Sequence, residues 1–156
     1  MDAGIIEIDG QNIANIKKES LISKISIIFP ETYLFDGSIY DNIHIGDLSS
    51  SKEDVVRVSK MVKIHEFIEK THEKYDTPVG EEGLMLSSGE KQKIALARAV
   101  LKDSPIILLD EVTKSIDFES KEAINEVINN LKNEKTIIIV TYNAEEIDNS
   151  GNLIYI

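Results

Sequence analysis

Leu86-Ser87-Ser88-Gly89-Glu90 opens a predicted helix, and Ile106-Ile107-Leu108-Leu109-Asp110-Glu111 follows shortly after it in the chain. The second run decides the fold. A continuous aliphatic segment of this length reads as a strand buried on both faces, the habit of a parallel sheet covered by helices. Its end delivers two carboxylates, Asp110 and Glu111, to a sheet edge, where they suit a divalent cation and a water to be activated. The first run offers hydroxyls and free backbone N–H groups ahead of a long helix, an arrangement that favours an anion.

Working outward, Thr136 to Thr141 and Leu153 to Ile156 repeat the continuous Ile/Val pattern and read as further two-face-buried strands. Ile5-Ile6-Glu7-Ile8, closed by the turn pair Asp9-Gly10, and Ile25 to Phe29, stopped by Pro30, complete the strands. Val55, Val58 and Val62 share one helical face, continued by Ile64, Phe67 and Ile68. Ile94, Ala97 and Leu101 line a second helix, and Ala123, Ile124, Val127, Ile128 and Leu131 stripe a third between Glu119 and Lys132. The alternation predicts an α/β fold with a mostly parallel sheet. A helical subdomain over about 46–101 is inserted into an α/β core formed by 1–45 and 102–156, the whole reading as one domain.

Composition narrows the function classes. The 156 residues are 42% hydrophobic, enough for one core, and no apolar run approaches the ~20 residues that span a bilayer. The start, Met1-Asp2-Ala3-Gly4, lacks the basic character of a secretory leader. A net charge of −11 excludes a cationic nucleic-acid-binding face and an electrostatic anchor on anionic lipid. With no cysteine, neither disulfides nor thiolate metal sites are possible, and His44, His65 and His72 stand too far apart for ligand spacing.

In order and spacing these segments resemble the ATP-binding cassette of ABC transporters, over nearly the whole chain. Leu86 to Glu90 is similar to the signature motif, Ile106 to Glu111 to the Walker B strand, and Lys114-Ser115-Ile116-Asp117 to the D-loop. Gly4 to Gly10 resembles the strand and turn after the P-loop helix. Ile27 to Ile39 resembles the Q-loop region, continued by Asp41-Asn42-Ile43, and Thr77 to Gly83 resembles the X-loop of exporter cassettes. Thr141-Tyr142 takes the H-loop position. The departures are equally specific. No G-x-x-x-x-G-K-[ST] occurs, nor any Gly-Lys dipeptide; the Q-loop Gln is Pro30, the signature reads Leu-Ser-Ser-Gly-Glu, and Tyr142 replaces His. The expectation is a P-loop NTPase-like cassette truncated at both ends.

The resemblance implies a role for each retained residue, beside which stands an ordinary structural one. Asp110 would hold Mg²⁺ through water, or simply start a turn. Glu111 would be the general base, or an acidic loop residue. Ser87, Ser88, Gly89 and Glu90 would meet the γ-phosphate of ATP on a second cassette, while a Ser cap with Glu90 in the first turn is also a normal helix start. Ser88 adds a Cβ where the family has Gly, and Glu90 adds a negative charge where it has an amide. Asp117 would orient groups across the cassette–cassette interface, or cap the helix beginning near Phe118. Tyr142 would donate a hydrogen bond at the H-loop position without carrying a positive charge at neutral pH, or is a half-buried tyrosine at a strand end. Tyr33, Leu34 and Phe35 form an apolar cluster that either receives a transmembrane domain or packs as satellite core.

The implied function is that of a partial exporter cassette, nominally coupling ATP hydrolysis to transmembrane export at the cytoplasmic face of a membrane. ATP and Mg²⁺ are the implied cofactors, and a transmembrane domain and a second cassette the implied partners. Without a P-loop among these residues, the chain alone is expected not to hydrolyse ATP. The alternative is a non-enzymatic module that docks on or regulates an intact cassette.

Overall fold

The computed structural model describes residues 4–83 and 85–142. In chain order these form β1 (Glu7–Ile8), β2 (Gln11–Asn12), α1 (Lys18–Lys24), β3 (Ile25–Ile28), α2 (Ile39–His44), α3 (Lys52–Met61), α4 (His65–Lys70), α5 (Ser88–Lys102), β4 (Ile106–Asp110), α6 (Phe118–Leu131) and β5 (Thr136–Val140). The fold is α/β with a parallel sheet, as expected. Strand order is β3-β4-β5, both pairings parallel, with Ile28 opposite Leu109 and Leu109 opposite Ile139. The predicted strand Leu153 to Ile156 lies outside the described residues.

One face of this sheet carries Ser26, Ile28, Ile107 and Leu109, all buried. Helix α6 presents Ala123, Ile124, Val127, Ile128 and Leu131 to the same core, the stripe read from the sequence. The other face corrects an expectation. Ile27, Leu108 and Ile138 stand in register across the three strands, yet Ile27 and Ile138 are half exposed. Strand β5 was expected to be buried on both faces, but Ile138 and Val140 are each 47% exposed and Ile139 lies open as well. The physical reason is its place: among the described residues β5 pairs with β4 alone, so one backbone edge and much of its side-chain surface have no cover.

The chain between β3 and β4 forms the helical layer, whose first helix starts at Ile39. Its core holds Ile39, Ile43, Val55, Val58, Val62, Ile64, Ile68 and Ile94, all fully buried. Three of its helices start the same way. Ser38 with Asp41, Ser51 with Asp54, and Ser87 with Glu90 each form a capping box, the serine oxygen accepting an N3 amide and the N3 carboxylate accepting the serine amide. Helices α2 and α5 touch closely enough that a Cβ on Gly46 would lie 2.5 Å from the Arg98 carbonyl oxygen, so only glycine fits there. At the N-terminal end, Asp9 (φ 51°) and Gly10 (φ 74°) make the two-residue turn of the β1–β2 hairpin, an antiparallel ribbon where the sequence suggested a single strand.

Candidate functional site

Ser87 caps α5 from extended backbone, and the first turn of that helix is knitted to the segment after β4. Ser87 Oγ accepts the Glu90 amide at 3.3 Å, and the Glu90 carboxylate accepts the Ser87 amide at 2.7 Å. Ser88 Oγ donates to the Ser115 carbonyl at 3.0 Å. Gly89 is buried against the start of α6: a Cβ there would meet Ser120 Oγ at 2.3 Å, Ser120 Cβ at 2.7 Å and Asp117 Oδ2 at 2.9 Å. Asp117 is the N-cap of α6, its Oδ1 accepting the Ser120 amide at 2.8 Å. The Ser120 amide and hydroxyl together hold the Asp117 carboxyl below the usual carboxylate range. All five positions read as nucleotide-binding, Ser87, Ser88, Gly89, Glu90 and Asp117, therefore also make ordinary structural contacts.

Asp110 ends β4 opposite Val140, half-buried. Glu111 leaves the strand in the left-handed region, at φ 45°, a conformation uncommon outside glycine. Its amide still donates to the Val140 carbonyl at 3.0 Å, so the turn stays docked on β5. The Glu111 side chain is 14% exposed, and its Oε2 accepts from Lys114 Nζ at 2.7 Å. That hydrogen bond, and then the charge behind it, pushes the Lys114 ammonium above the ordinary lysine range, with smaller contributions from the Tyr142 phenol and the Asp110 carboxylate. Tyr142 itself is 90% exposed just beyond β5. Asp110, Glu111, Lys114 and Tyr142 thus share one end of the sheet.

A resident Mg²⁺ does not fit the donors present there. Among the described residues no three His, Cys, Asp or Glu side chains gather to hold a metal ion, and one of the two available carboxylates is engaged by a lysine. Mg²⁺ held by one or two carboxylates relies on phosphate oxygens and water for the rest of its shell.

Two residues of α5 that the sequence reading passed over organise the neighbouring loop. Gln92, buried, donates its amide to the carbonyls of Phe29 (3.0 Å) and Pro30 (2.6 Å) and accepts from Thr32 Oγ1 (3.1 Å). Arg98 donates to the Tyr33 carbonyl at 2.8 Å and to the backbone and side-chain oxygens of Asn42, and lies over the Phe35 ring at 5.4 Å. Burial lowers the Arg98 guanidinium to about 10, still protonated at neutral pH. The cluster Tyr33-Leu34-Phe35 divides: Leu34 is fully buried, while Tyr33 and Phe35 stand exposed and edge-to-face at 5.4 Å. The signal for Gln92 and Arg98 was faint, because their partners are backbone oxygens far away in sequence.

A sequence model of the ABC transporter family matches residues 1–114. The protein described as ABC transporter B family member 24, mitochondrial, from Arabidopsis thaliana is 42% identical over 142 residues, 91% of this chain and 21% of that protein. The Beta-(1-->2)glucan export ATP-binding/permease protein NdvA of Bartonella quintana (strain Toulouse) is 37% identical over 153 residues, covering 98% of this chain and 26% of the relative. A solved structure of a bacterial Atm1-family ABC exporter with ATP bound superposes with a TM-score of 0.88 at 36% identity, over 95% of this chain and 26% of the other. The chain therefore spans about a quarter of the length of the proteins it matches.

Proposed function

The chain belongs to the ABC transporter family and corresponds to part of an exporter's nucleotide-binding cassette, and on that premise we propose that it supplies the signature face and the acidic strand end of an ATP-driven export machine. The observation that carries this reading is the fastening of the Ser87–Glu90 turn to the Ser115–Ser120 segment, through the Ser88–Ser115 hydrogen bond and the Gly89 contact with Asp117 and Ser120. It sets the helix N-terminus and the Asp110–Glu111 end of β4 in one rigid frame. Within that frame the α5 N-terminus and the Ser87 and Ser88 hydroxyls would face the γ-phosphate of ATP carried by a second cassette. Glu111 would take a proton from the attacking water once Lys114 releases it.

No side chain in this sequence replaces the lysine or the amide nest of a P-loop, and positioning of the β- and γ-phosphates is most of what phosphoryl transfer requires. The chain by itself therefore does not hydrolyse ATP. Its partners in this reading are a second cassette and a transmembrane domain, the latter seated on the exposed Tyr33 and Phe35. No helix among the described residues is long and apolar enough to cross a membrane; in this reading the transmembrane partner holds the chain at the cytoplasmic face. ATP and Mg²⁺ enter with the second cassette.

The test mixes this chain with an intact cassette whose own signature has been disabled. ATP-dependent association, lost in Gly89→Asp, supports the reading. Size-exclusion profiles that ATP leaves unchanged refute it, as does phosphate release by the chain alone that vanishes in Glu111→Gln.

A further inference from the structure

The acidic end of β4 already holds a cation, and that cation is part of the chain. Glu111 turns the backbone sharply, its carbonyl accepts the Lys114 amide at 3.0 Å, and this tight turn returns the Lys114 side chain to the Glu111 carboxylate at 2.7 Å. The carboxylate is largely buried at 14% exposure, and the lysine covers it from the solvent side at 64%. We propose that Lys114 is a tethered counter-ion of the Asp110–Glu111 pair, which keeps a free divalent cation from settling at this end of the strand. The inference rests on reading these two carboxylates as the cassette's acidic pair.

Three pieces of chemistry support it. A like charge beside a prospective metal position repels the incoming ion. An ammonium fixed by a three-residue turn acts at a high effective concentration, whereas Mg²⁺ arrives from bulk and gives up its water reluctantly. The donors left over are too few to compensate, since no third acidic or imidazole side chain joins them among the described residues. Asp110, the residue before Glu111 at the end of β4, adds a second carboxylate near the same ammonium. A metal would enter only with a ligand that brings its own oxygens and displaces the lysine.

The experiment uses Mn²⁺ alone, without nucleotide, at low ionic strength, with free ion counted by electron paramagnetic resonance. Wild-type chain is compared with Lys114→Met, Lys114→Arg and Lys70→Met, the last removing an exposed positive charge on α4 as a control for net charge. Lys114→Met is expected to gain a Mn²⁺ site with a midpoint at least about tenfold below that of the wild type, because repulsion is removed and a carboxylate freed. Lys114→Arg and Lys70→Met should match wild type, and Lys114→Met/Glu111→Gln should lose the gain. Lys114→Met indistinguishable from Lys70→Met overturns the proposal, and so does Lys114→Arg gaining the same site. Lys114→Ser, measured in parallel, covers any folding defect of the methionine variant. Since ATP and a partner cassette are absent, these outcomes are independent of the association experiment above.

Discussion

Gly89→Ala tests the joint on which the site is built. The added Cβ would lie 2.7 Å from Ser120 Cβ and 2.3 Å from Ser120 Oγ. A hydroxyl can rotate away, but Cβ is fixed to the backbone, so α5 and the start of α6 must separate by several tenths of an ångström. Forcing a methyl into a closed contact costs about 1–3 kcal/mol. Against this, replacing glycine by alanine in a helix gains up to ~1 kcal/mol. The balance is a net loss of about 1–2 kcal/mol, with the Asp117–Ser120 cap strained as well. The assay is urea unfolding followed by circular dichroism, run as a cycle with Ser120→Gly, which removes the two closest clashing atoms and leaves only Asp117 Oδ2 at 2.9 Å. The two changes should couple favourably by at least ~1 kcal/mol, within the range seen for residues in contact. A Gly89→Ala chain more stable than wild type, with no coupling to Ser120→Gly, would refute the close contact and the rigid frame derived from it.

Further outcomes follow from other contacts. Arg98→Lys keeps the charge but loses the fork, so each buried acceptor among the Tyr33 and Asn42 oxygens that is left without a donor should cost about 1–3 kcal/mol. Hydrogen exchange should rise in residues 33–42 before it rises in β4. Asp41, Asp47, Asp54 and Asp117 all have carboxyls held low by hydrogen bonds from serine, so the unfolded chain binds more protons near their ordinary pKa. Their stabilisation is complete above about pH 4 and is lost as the pH falls through their folded values; a urea midpoint that does not drop between pH 6 and pH 3 would contradict this. Ile138→Lys places a charge on the open face of β5 and should reduce concentration-dependent self-association in sedimentation velocity without lowering the melting temperature.

Much of this architecture was legible in local patterns. The serine cap with Glu90 at the start of α5, the stripe on α6 and the aliphatic strands β3 to β5 are each encoded within a few consecutive residues, where propensity and periodicity act directly, whereas the matching boxes at Ser38 and Ser51 emerged only in the structure. Helix α1 was not legible: Leu21 and Ile22 are its only large apolar residues, none of its residues is buried, and Lys17 gives it no side-chain cap. The openness of β5 was hidden for a different reason. An aliphatic run reports a strand that prefers burial, but whether a neighbour covers it is decided by the rest of the sheet. In Tyr33-Leu34-Phe35, adjacent residues of similar apolarity met opposite fates, a difference set by the direction of each side chain. The pairing of Lys114 with Glu111 needed the left-handed turn at Glu111, which no pattern in Asp110-Glu111-Val112-Thr113-Lys114 announces.

Beside the apolar face it buries in the core, helix α5 holds three neighbouring stretches of chain largely by their peptide oxygens. Gln92 takes the carbonyls of Phe29 and Pro30, Arg98 those of Tyr33 and Asn42, and Lys102 those of Ile22 and Ile25. Every amino acid owns such an oxygen, so these contacts are indifferent to the side chain at the held position, apart from the Asn42 amide that Arg98 also binds and the Thr32 hydroxyl that donates to Gln92. That explains how proline sits at position 30: it has surrendered its N–H but not its C=O, and only the latter is used. The segments wrapped around α5 are thus free to change their outward chemistry while their path stays fixed, whereas Gln92, Arg98 and Lys102 are not. Sequence drift in this chain should collect in the gripped segments and spare the gripping residues, so that a new surface specificity is acquired without a new fold.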